Sequence, residues 1–288
     1  MNNTKKLLIS LSVVTAIALT GCVTDTNTTS TSKQEVVKSK TILEAYANIA
    51  LDSYTHALND AKALEKAIEK FASNPTEESL QNAKNAWLDS RESYGQTEAF
   101  RLSNGPIDAE EGWVAKSYDA LEGQINAWPL DENMIDYTID ANGKKTSGNI
   151  IDTVGVFNPG GEDAKPVDVT KITPNAITEL NEDGGEANVA SGYHAVEFLL
   201  WGQDQDYSNF VKDSITNGAK TAGQRPLSDY ISDKNAPRRI AFLKAAASKI
   251  VSDLQTVSNA WENDGLYKNA FLGKLSGANA NKNIASGD

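Results

Sequence analysis

The sequence predicts an all-α globular fold. Apolar residues recur at steps of three and four in long segments that begin near Ile42, Leu80 and Ile240, which is the spacing of amphipathic helices. No alternating run of apolar and polar residues is long enough to indicate a sheet. The composition, 40% hydrophobic and 23% charged over 288 residues, supplies enough apolar side chains for a sizeable core.

The first 21 residues predict export from a bacterial cytoplasm. Lys5 and Lys6 precede an apolar run over 7–19, which is too short to span a bilayer and is typical of a signal peptide. The run leads into Leu19-Thr20-Gly21-Cys22, which resembles a bacterial lipobox. That resemblance implies cleavage before Cys22 and lipidation of its sulfur and amino group, and the alternative is an ordinary secretory signal with a chance cysteine.

Cys22 is the only cysteine, so the chain cannot form an internal disulfide. Several acyl chains would anchor the protein stably to a membrane. Because Val23 and not an aspartate follows Cys22, the resemblance favours the outer membrane, facing the periplasm. Residues 22–40 are rich in Thr, Ser, Asn and Lys, and they predict a flexible tether.

The chain is acidic, with a formal net charge of −12. Such a chain repels phosphate backbones, so nucleic acid is excluded as a partner. An acidic surface commonly serves solubility, and by itself it does not indicate cation binding.

The helices can be followed along the chain. The first begins at Ile42 and stops at Asn74-Pro75, and the second carries an unusual stripe. That stripe consists of Leu80, Ala83, Trp87, Arg91, Tyr94, Glu98 and Arg101. Charged groups on an inward face need partners, so the stripe indicates either a functional site, a structural ion pair, or a helix end that emerges into solvent.

Further helices are expected at 113–128 and 188–201, and a long bundle helix is expected from Ile240 to Trp261. The stretch 140–187 is rich in Gly, Pro and Asn and predicts loops. The tail 273–288 is rich in Gly, Asn and Ser and is expected to be disordered.

The helix at 188–201 carries the residues best suited to chemistry. His194 and Glu197 are three residues apart, so both project from one face, and Trp201 lies four residues further along it. Gly192 permits close backbone approach, and Gly202 is placed to end the helix. An imidazole and a carboxylate at this spacing can chelate one cation, or they can form a structural hydrogen bond.

The pattern Gly192-x-His194-x-x-Glu197 resembles the signature of the imelysin family, and more closely of its iron-regulated branch. Segments similar to that branch, in its order, are 94–101, 105–108, 125–132, 223–226 and 238–239. The resemblance implies two helical-bundle halves within 41–272, the first over about 41–135 and the second from about 187. It places the GxHxxE site near the groove between them, and it implies an envelope location and iron-responsive expression.

Members of this family have been described both as peptidases and as periplasmic iron-uptake components. Their chains usually continue well beyond the point where this one stops, so the second bundle is expected to be incomplete.

The sequence argues against the common hydrolase sites. It has two histidines, His56 and His194, and neither a His-Glu-x-x-His motif nor a Gly-x-Ser-x-Gly motif. A site with one imidazole and several carboxylates suits iron, manganese or calcium better than structural zinc.

We therefore expect a divalent or ferric ion, with iron favoured, at His194 and Glu197. Glu98 and Asp108 (or Asp131) are expected to approach from the first bundle. Arg101, Arg91 and Trp201 are expected to support the ligands. The expected role is iron acquisition with an envelope uptake partner; the alternatives are a metal-dependent peptidase and a metal-free module that binds a peptide or a partner protein.

Overall fold

The computed structural model describes residues 28–206 and 222–273, with side chains from Lys40 onward. The signal peptide, Cys22 and the tail from 274 onward lie outside this part of the chain. The described residues from Thr41 onward form one compact unit, and the described residues before Thr41 belong to a separate one.

Two long helices begin the described chain, α1 (Thr28–Ser73) and α2 (Glu77–Gln96). Helix α1 starts well before Ile42, so it includes residues 28–40, for which composition predicts a tether. No Gly or Pro interrupts these residues, which explains why the helix can extend through them. Helix α2 begins with a capping box, in which the Thr76 hydroxyl accepts from the Ser79 amide at 3.1 Å and the Ser79 hydroxyl accepts from the Thr76 amide at 2.9 Å.

Short elements follow. They are a 3₁₀ turn (Thr97–Phe100), α3 (Gly112–Tyr118), α4 (Glu122–Ile125), α5 (Glu132–Ile135), strands β1 (Val156–Phe157) and β2 (Val167–Asp168), and α6 (Pro174–Leu180). The two strands pair antiparallel. The helix expected at 113–128 is divided into α3 and α4, because Asp119 and Ala120 adopt left-handed backbone angles with φ of 70° and 48°.

The last described elements are α7 (Gly192–Trp201), α8 (Ser228–Ile231), α9 (Ala236–Trp261) and α10 (Leu266–Phe271). Helix α7 packs against α2, α4, α5 and α9. Its Val196, Leu199 and Leu200 side chains are fully buried, and each such burial contributes about 1.5–3 kcal/mol. Helix α7 is therefore a rigid central element, and its polar residues are held in place by their neighbours.

The described residues are mostly helical, with one two-stranded sheet, so the all-α prediction is confirmed. The division into two bundle halves stays a prediction. None of the described helices is both long and apolar enough to cross a membrane.

Candidate functional site

The start of α7 explains the glycine of the GxHxxE pattern. Gly192 has φ of +81°, and a Cβ atom there would lie 2.3 Å from the carbonyl oxygen of Ile125 in α4. The Ser191 hydroxyl donates to the backbone carbonyl of Gln124 at 2.9 Å. Only glycine accepts both this backbone angle and this contact, so position 192 fixes how the helix with His194 meets α4.

The end of α7 is held by a segment that follows in sequence. The Arg225 amide donates to the Trp201 carbonyl at 2.9 Å, and its Nε donates to the Phe198 carbonyl at 3.3 Å. The Tyr230 hydroxyl donates to the Leu199 carbonyl. These bonds satisfy the Leu199 and Trp201 carbonyls, which the helix end leaves without partners, and add a second donor at the Phe198 carbonyl, so they fix α7 along its axis.

Arg225 is itself part of a buried ion network. Its Nη1 lies 2.6 Å from Asp136 and 3.1 Å from Asp229, and Arg239 contacts both carboxylate oxygens of Asp136, at 2.6 and 3.1 Å. All four side chains are almost fully buried. The two arginines and two aspartates balance in charge, so each depends on the others.

His194 and Glu197 meet on α7 as expected. The Nδ1 atom of His194 lies 2.9 Å from Oε2 of Glu197. The His194 side chain is 17% exposed and that of Glu197 is 41% exposed, so solvent reaches the pair. Nε2 of His194 has no hydrogen-bond partner within the described residues.

The pair opens into a cavity of about 420 Å³. Its apolar wall consists of Trp87, Leu88, Trp128, Phe198 and Trp201, and its acidic groups are Glu132, Glu197 and Asp204. The ring centroids of Trp128 and His194 are 4.6 Å apart, and those of Trp87 and Trp201 are 5.3 Å apart. Trp201 therefore lies where the sequence places it, on the same cavity as His194 and Glu197.

This cavity is also lined by Glu132, Trp87 and Trp128, which the sequence did not assign to the His194 site, although Trp87 belongs to the stripe on α2. Glu132 is 8% exposed, and its Oε1 accepts from the Asp204 amide at 2.9 Å. Trp87 is anchored by its indole N–H, which donates to the Tyr193 carbonyl at 2.9 Å. No helical periodicity marks Trp128. The only indication of its importance is that it lies in the segment 125–132, which is similar to the family.

Asp131, the neighbour of Glu132, caps α5. Its Oδ1 accepts from the Met134 amide at 3.0 Å. Burial raises the pKa of the Asp131 carboxyl, and hydrogen bonds from backbone amides oppose that rise. Asp131 therefore has a structural role as the cap of α5.

Arg91 lies against the start of α7 through aromatic rings. Its guanidinium is 5.2 Å from the ring centroid of Tyr193 and 5.5 Å from that of Tyr94, and its Nη1 donates to Asn126 at 2.5 Å. Arg91 therefore supports the residue next to His194, and no carboxylate of the described residues is recorded as its partner.

Glu98, Arg101 and Asp108 gather elsewhere. Arg101 forms ion pairs with Glu122 and, at 3.6 Å, with Glu98. Asp108 accepts from the amides of Ser103 and Gly105 at 3.1 and 2.8 Å, which closes the turn before α3. A separate cavity of about 750 Å³ is lined by Arg101, Asp108 and Glu122. The cavity of His194 is lined by neither Glu98 nor Asp108.

Within residues 28–206 and 222–273, no group of three or more His, Cys, Asp or Glu side chains is arranged to hold one ion. The structure thus joins His194, Glu197 and Trp201. Arg101 and Asp108 line a different cavity, and Glu98 pairs with Arg101.

Comparison with known proteins places this chain in a family. Residues 50–287 match the family described as imelysin. Iron-regulated protein A of Synechococcus elongatus is 29% identical over 98 residues, which cover 34% of this chain and 24% of that protein.

A crystal structure described as an iron-regulated protein A precursor from Parabacteroides distasonis has a similar fold, with a TM-score of 0.51 and 19% identity. The match covers 85% of this chain and 54% of that one, so the chain spans about half the length of this relative and less of the other. Both names refer to iron regulation. Because the family match extends over most of the sequence, the chain belongs to the imelysin family.

Proposed function

We propose that this chain is a lipid-anchored protein of the bacterial cell envelope that binds a metal cation, with iron favoured, through His194 and Glu197 and serves iron acquisition. The observation that carries the proposal is the 2.9 Å separation of His194 Nδ1 and Glu197 Oε2 at the wall of an open cavity.

The separation fits two ligands of one ion. Metal–nitrogen and metal–oxygen bonds are about 2.0–2.2 Å long, so two ligands at a right angle lie about 3 Å apart. A cation could therefore replace the shared proton without moving α7. The buried Val196 and Leu199 on the same helix keep the two groups in this relation.

The donor set favours some metals over others. One imidazole and one carboxylate, with the Glu132 carboxylate in the same cavity, suit iron or manganese. The names of the two relatives favour iron. In this proposal the ion is cargo, bound and released, so partial exposure of Glu197 is an advantage because exchange needs solvent access.

The other two carboxylates predicted as ligands, Glu98 and Asp108, are not part of the proposed site. Glu98 pairs with Arg101, and Asp108 lines the second cavity, so neither is used as a ligand beside His194 in this proposal. The envelope location rests on the lipobox-like segment ending at Cys22, and an uptake partner in the envelope would receive the ion.

Metal analysis of the full chain tests the site. The protein is loaded with iron, manganese, zinc or calcium, desalted and assayed for metal content. We expect about one equivalent of iron in the wild type and loss of it in His194→Ala and in Glu197→Ala, because each variant removes one of two chelating groups.

Two matched variants serve as controls. His56→Ala removes the other histidine, which is exposed on α1, and Glu98→Ala removes a carboxylate that pairs with Arg101. Both should retain the metal. Loss of metal in Glu98→Ala with retention in Glu197→Ala would move the site to the Arg101 cluster, and a folded wild type that retains no metal would refute the proposal.

A further inference from the structure

We infer that the cavity beside His194 takes its cation as a complex with a planar aromatic chelator, and not as a bare hydrated ion. This inference rests on the proposed cation site and specifies what enters it. Three properties of the cavity support it: its volume, its aromatic wall and its charge.

The volume exceeds what an ion needs. His194 and Glu197 supply two donor atoms, so a six-coordinate cation has about four positions left for water or another ligand. Four water molecules occupy about 120 Å³, at about 30 Å³ each. The cavity of about 420 Å³ is much larger, and it falls in the range of about 300–1,000 Å³ that is typical of small-molecule sites.

The wall favours a flat aromatic ligand. Three of the five tryptophans of the chain line the cavity. Trp201 is already in contact with Trp87, and Lys84 Nζ lies 5.3 Å from its ring. Trp128 is more accessible to a ligand, because it is 58% exposed. Its ring centroid lies 4.6 Å from that of His194. A ring carried by a metal bound at His194 would thus find an available indole next to it, and offset stacking of aromatic rings is favourable.

The charge favours a neutral chelator. Glu132, Glu197 and Asp204 line the cavity, and no lysine or arginine of the described residues does. A chelator with uncharged nitrogen donors leaves the positive charge of the cation to be met by these carboxylates. A polyanionic chelator would bring like charges together, which is unfavourable at short range.

The test compares an aromatic chelator with an aliphatic one of the same charge and the same number of nitrogen donors. Copper(II) is titrated into the full chain by calorimetry as its 1:1 complex with 2,2′-bipyridine, as its 1:1 complex with ethylenediamine, and without chelator. Both chelators are neutral and donate two nitrogen atoms. We expect the bipyridine complex to bind about five- to tenfold more tightly than the ethylenediamine complex, as expected for one stacked ring pair.

Variants decide whether Trp128 causes the preference. Trp128→Ala should reduce the ratio of the two dissociation constants at least about threefold, and Trp128→Phe should restore most of it, because a smaller ring can still stack. Copper without chelator is titrated into each variant as well, because Trp128 contacts the ring of His194 and its removal can change the affinity for the bare ion. The bipyridine complex can have an intrinsic preference for carboxylate ligands. That preference is the same in wild type and in Trp128→Ala, so it cancels when the ratios of the two proteins are compared.

The outcomes separate this inference from the proposed function. Copper binding that depends on His194 but shows no bipyridine preference, or a preference unchanged in Trp128→Ala, would overturn the aromatic chelator and leave the cation site standing. If no copper species bound in a manner that depends on His194, both the inference and the proposed cation site would fail.

Discussion

Gly192 lies so close to Ile125 that a Cβ atom at position 192 would be 2.3 Å from the carbonyl oxygen of Ile125 and 2.6 Å from its carbonyl carbon. The neighbouring atoms are backbone, so they cannot move aside as a flexible side chain would. The contact joins α4 to the first turn of α7, two residues before His194. The glycine of the motif is thus a packing requirement that sets the position of the candidate ligands.

Gly192→Ala should be strongly destabilising. A left-handed backbone costs a residue with a Cβ about 1–2 kcal/mol, and the backbone clash adds to it, so we expect a loss of about 3 kcal/mol or more in the free energy of unfolding. Denaturant unfolding measures this value. Gly95→Ala is the control, because a Cβ there meets nothing within 4 Å and lies in α2, where alanine should stabilise by about 0.5–1 kcal/mol. Equal effects of the two substitutions would contradict this explanation.

Asp136 should be indispensable for stability. Its carboxylate is the shared partner of Arg225 and Arg239, and all three side chains are almost fully buried. Asp136→Ala leaves two buried cations poorly paired, so we expect a loss of about 3–5 kcal/mol in the free energy of unfolding. Lys145→Ala removes a half-exposed partner 3.8 Å from Asp229 and should change stability by at most about 1 kcal/mol. A small effect of Asp136→Ala would show that the network is dispensable.

Glu182 should make the protein slightly less stable at neutral pH. Glu182 is exposed as a residue, but partial burial of its carboxyl raises the pKa of that group, with smaller contributions from Glu186 and Glu122. The folded state then holds this proton more tightly than the unfolded state, so stability falls as pH rises from the ordinary glutamate pKa of about 4.3 through the raised value. Glu182→Gln should therefore stabilise by a few tenths of a kcal/mol near pH 7, because the group is largely exposed, and should have no effect near pH 3.

Unfolding midpoints of wild type and Glu182→Gln at several pH values check this difference. Glu179→Gln, on the exposed face of α6, also removes one carboxylate and is the matched control for the change in net charge. A stabilisation by Glu182→Gln that persisted unchanged at acid pH would show that its cause is not ionisation.

Cation affinity should decrease as pH is lowered. A metal binds an imidazole nitrogen that carries no proton, so protons compete with the cation at His194. We expect iron affinity to fall at least about fivefold between pH 7 and pH 5. Titrations at the two pH values measure this change, and His56→Ala should leave it intact. An affinity independent of pH over this range would mean that His194 is not a ligand.

Cys22 should determine membrane attachment. In a bacterial host, radiolabelled palmitate should be incorporated into the wild-type chain and not into Cys22→Ser, because the chain has no other cysteine. The variant should also leave the membrane fraction. Label retained in Cys22→Ser would exclude the proposed anchor.

The sequence was a good guide where periodicity and local geometry decide the structure. The spacing of His194, Glu197 and Trp201 on one helix face predicts their shared cavity, and the apolar pattern from Ile240 to Trp261 predicts most of α9. The helix expected at 113–128 is split, because Asp119 and Ala120 take left-handed angles that side-chain patterns do not reveal.

Residues brought together from distant segments were harder to predict. Arg101 pairs with Glu122, which lies outside the stripe, and also with Glu98, whose side chain is 59% exposed. Glu132 and Trp128 reach the cavity of His194 from the segment around α5, and no periodic pattern marks them. The buried partner of Arg225 and Arg239 is Asp136, and a lone aspartate after a short helix carries no signal of that role.

Crystals of the full chain soaked in iron and measured at the iron absorption edge would test the central claim most directly. We predict one strong anomalous peak, about 2.0–2.2 Å from both His194 Nδ1 and Glu197 Oε2, and its absence in Glu197→Ala crystals. A peak found only beside Asp108 and Glu122, or no ordered iron at His194 in well-diffracting crystals, would contradict the account.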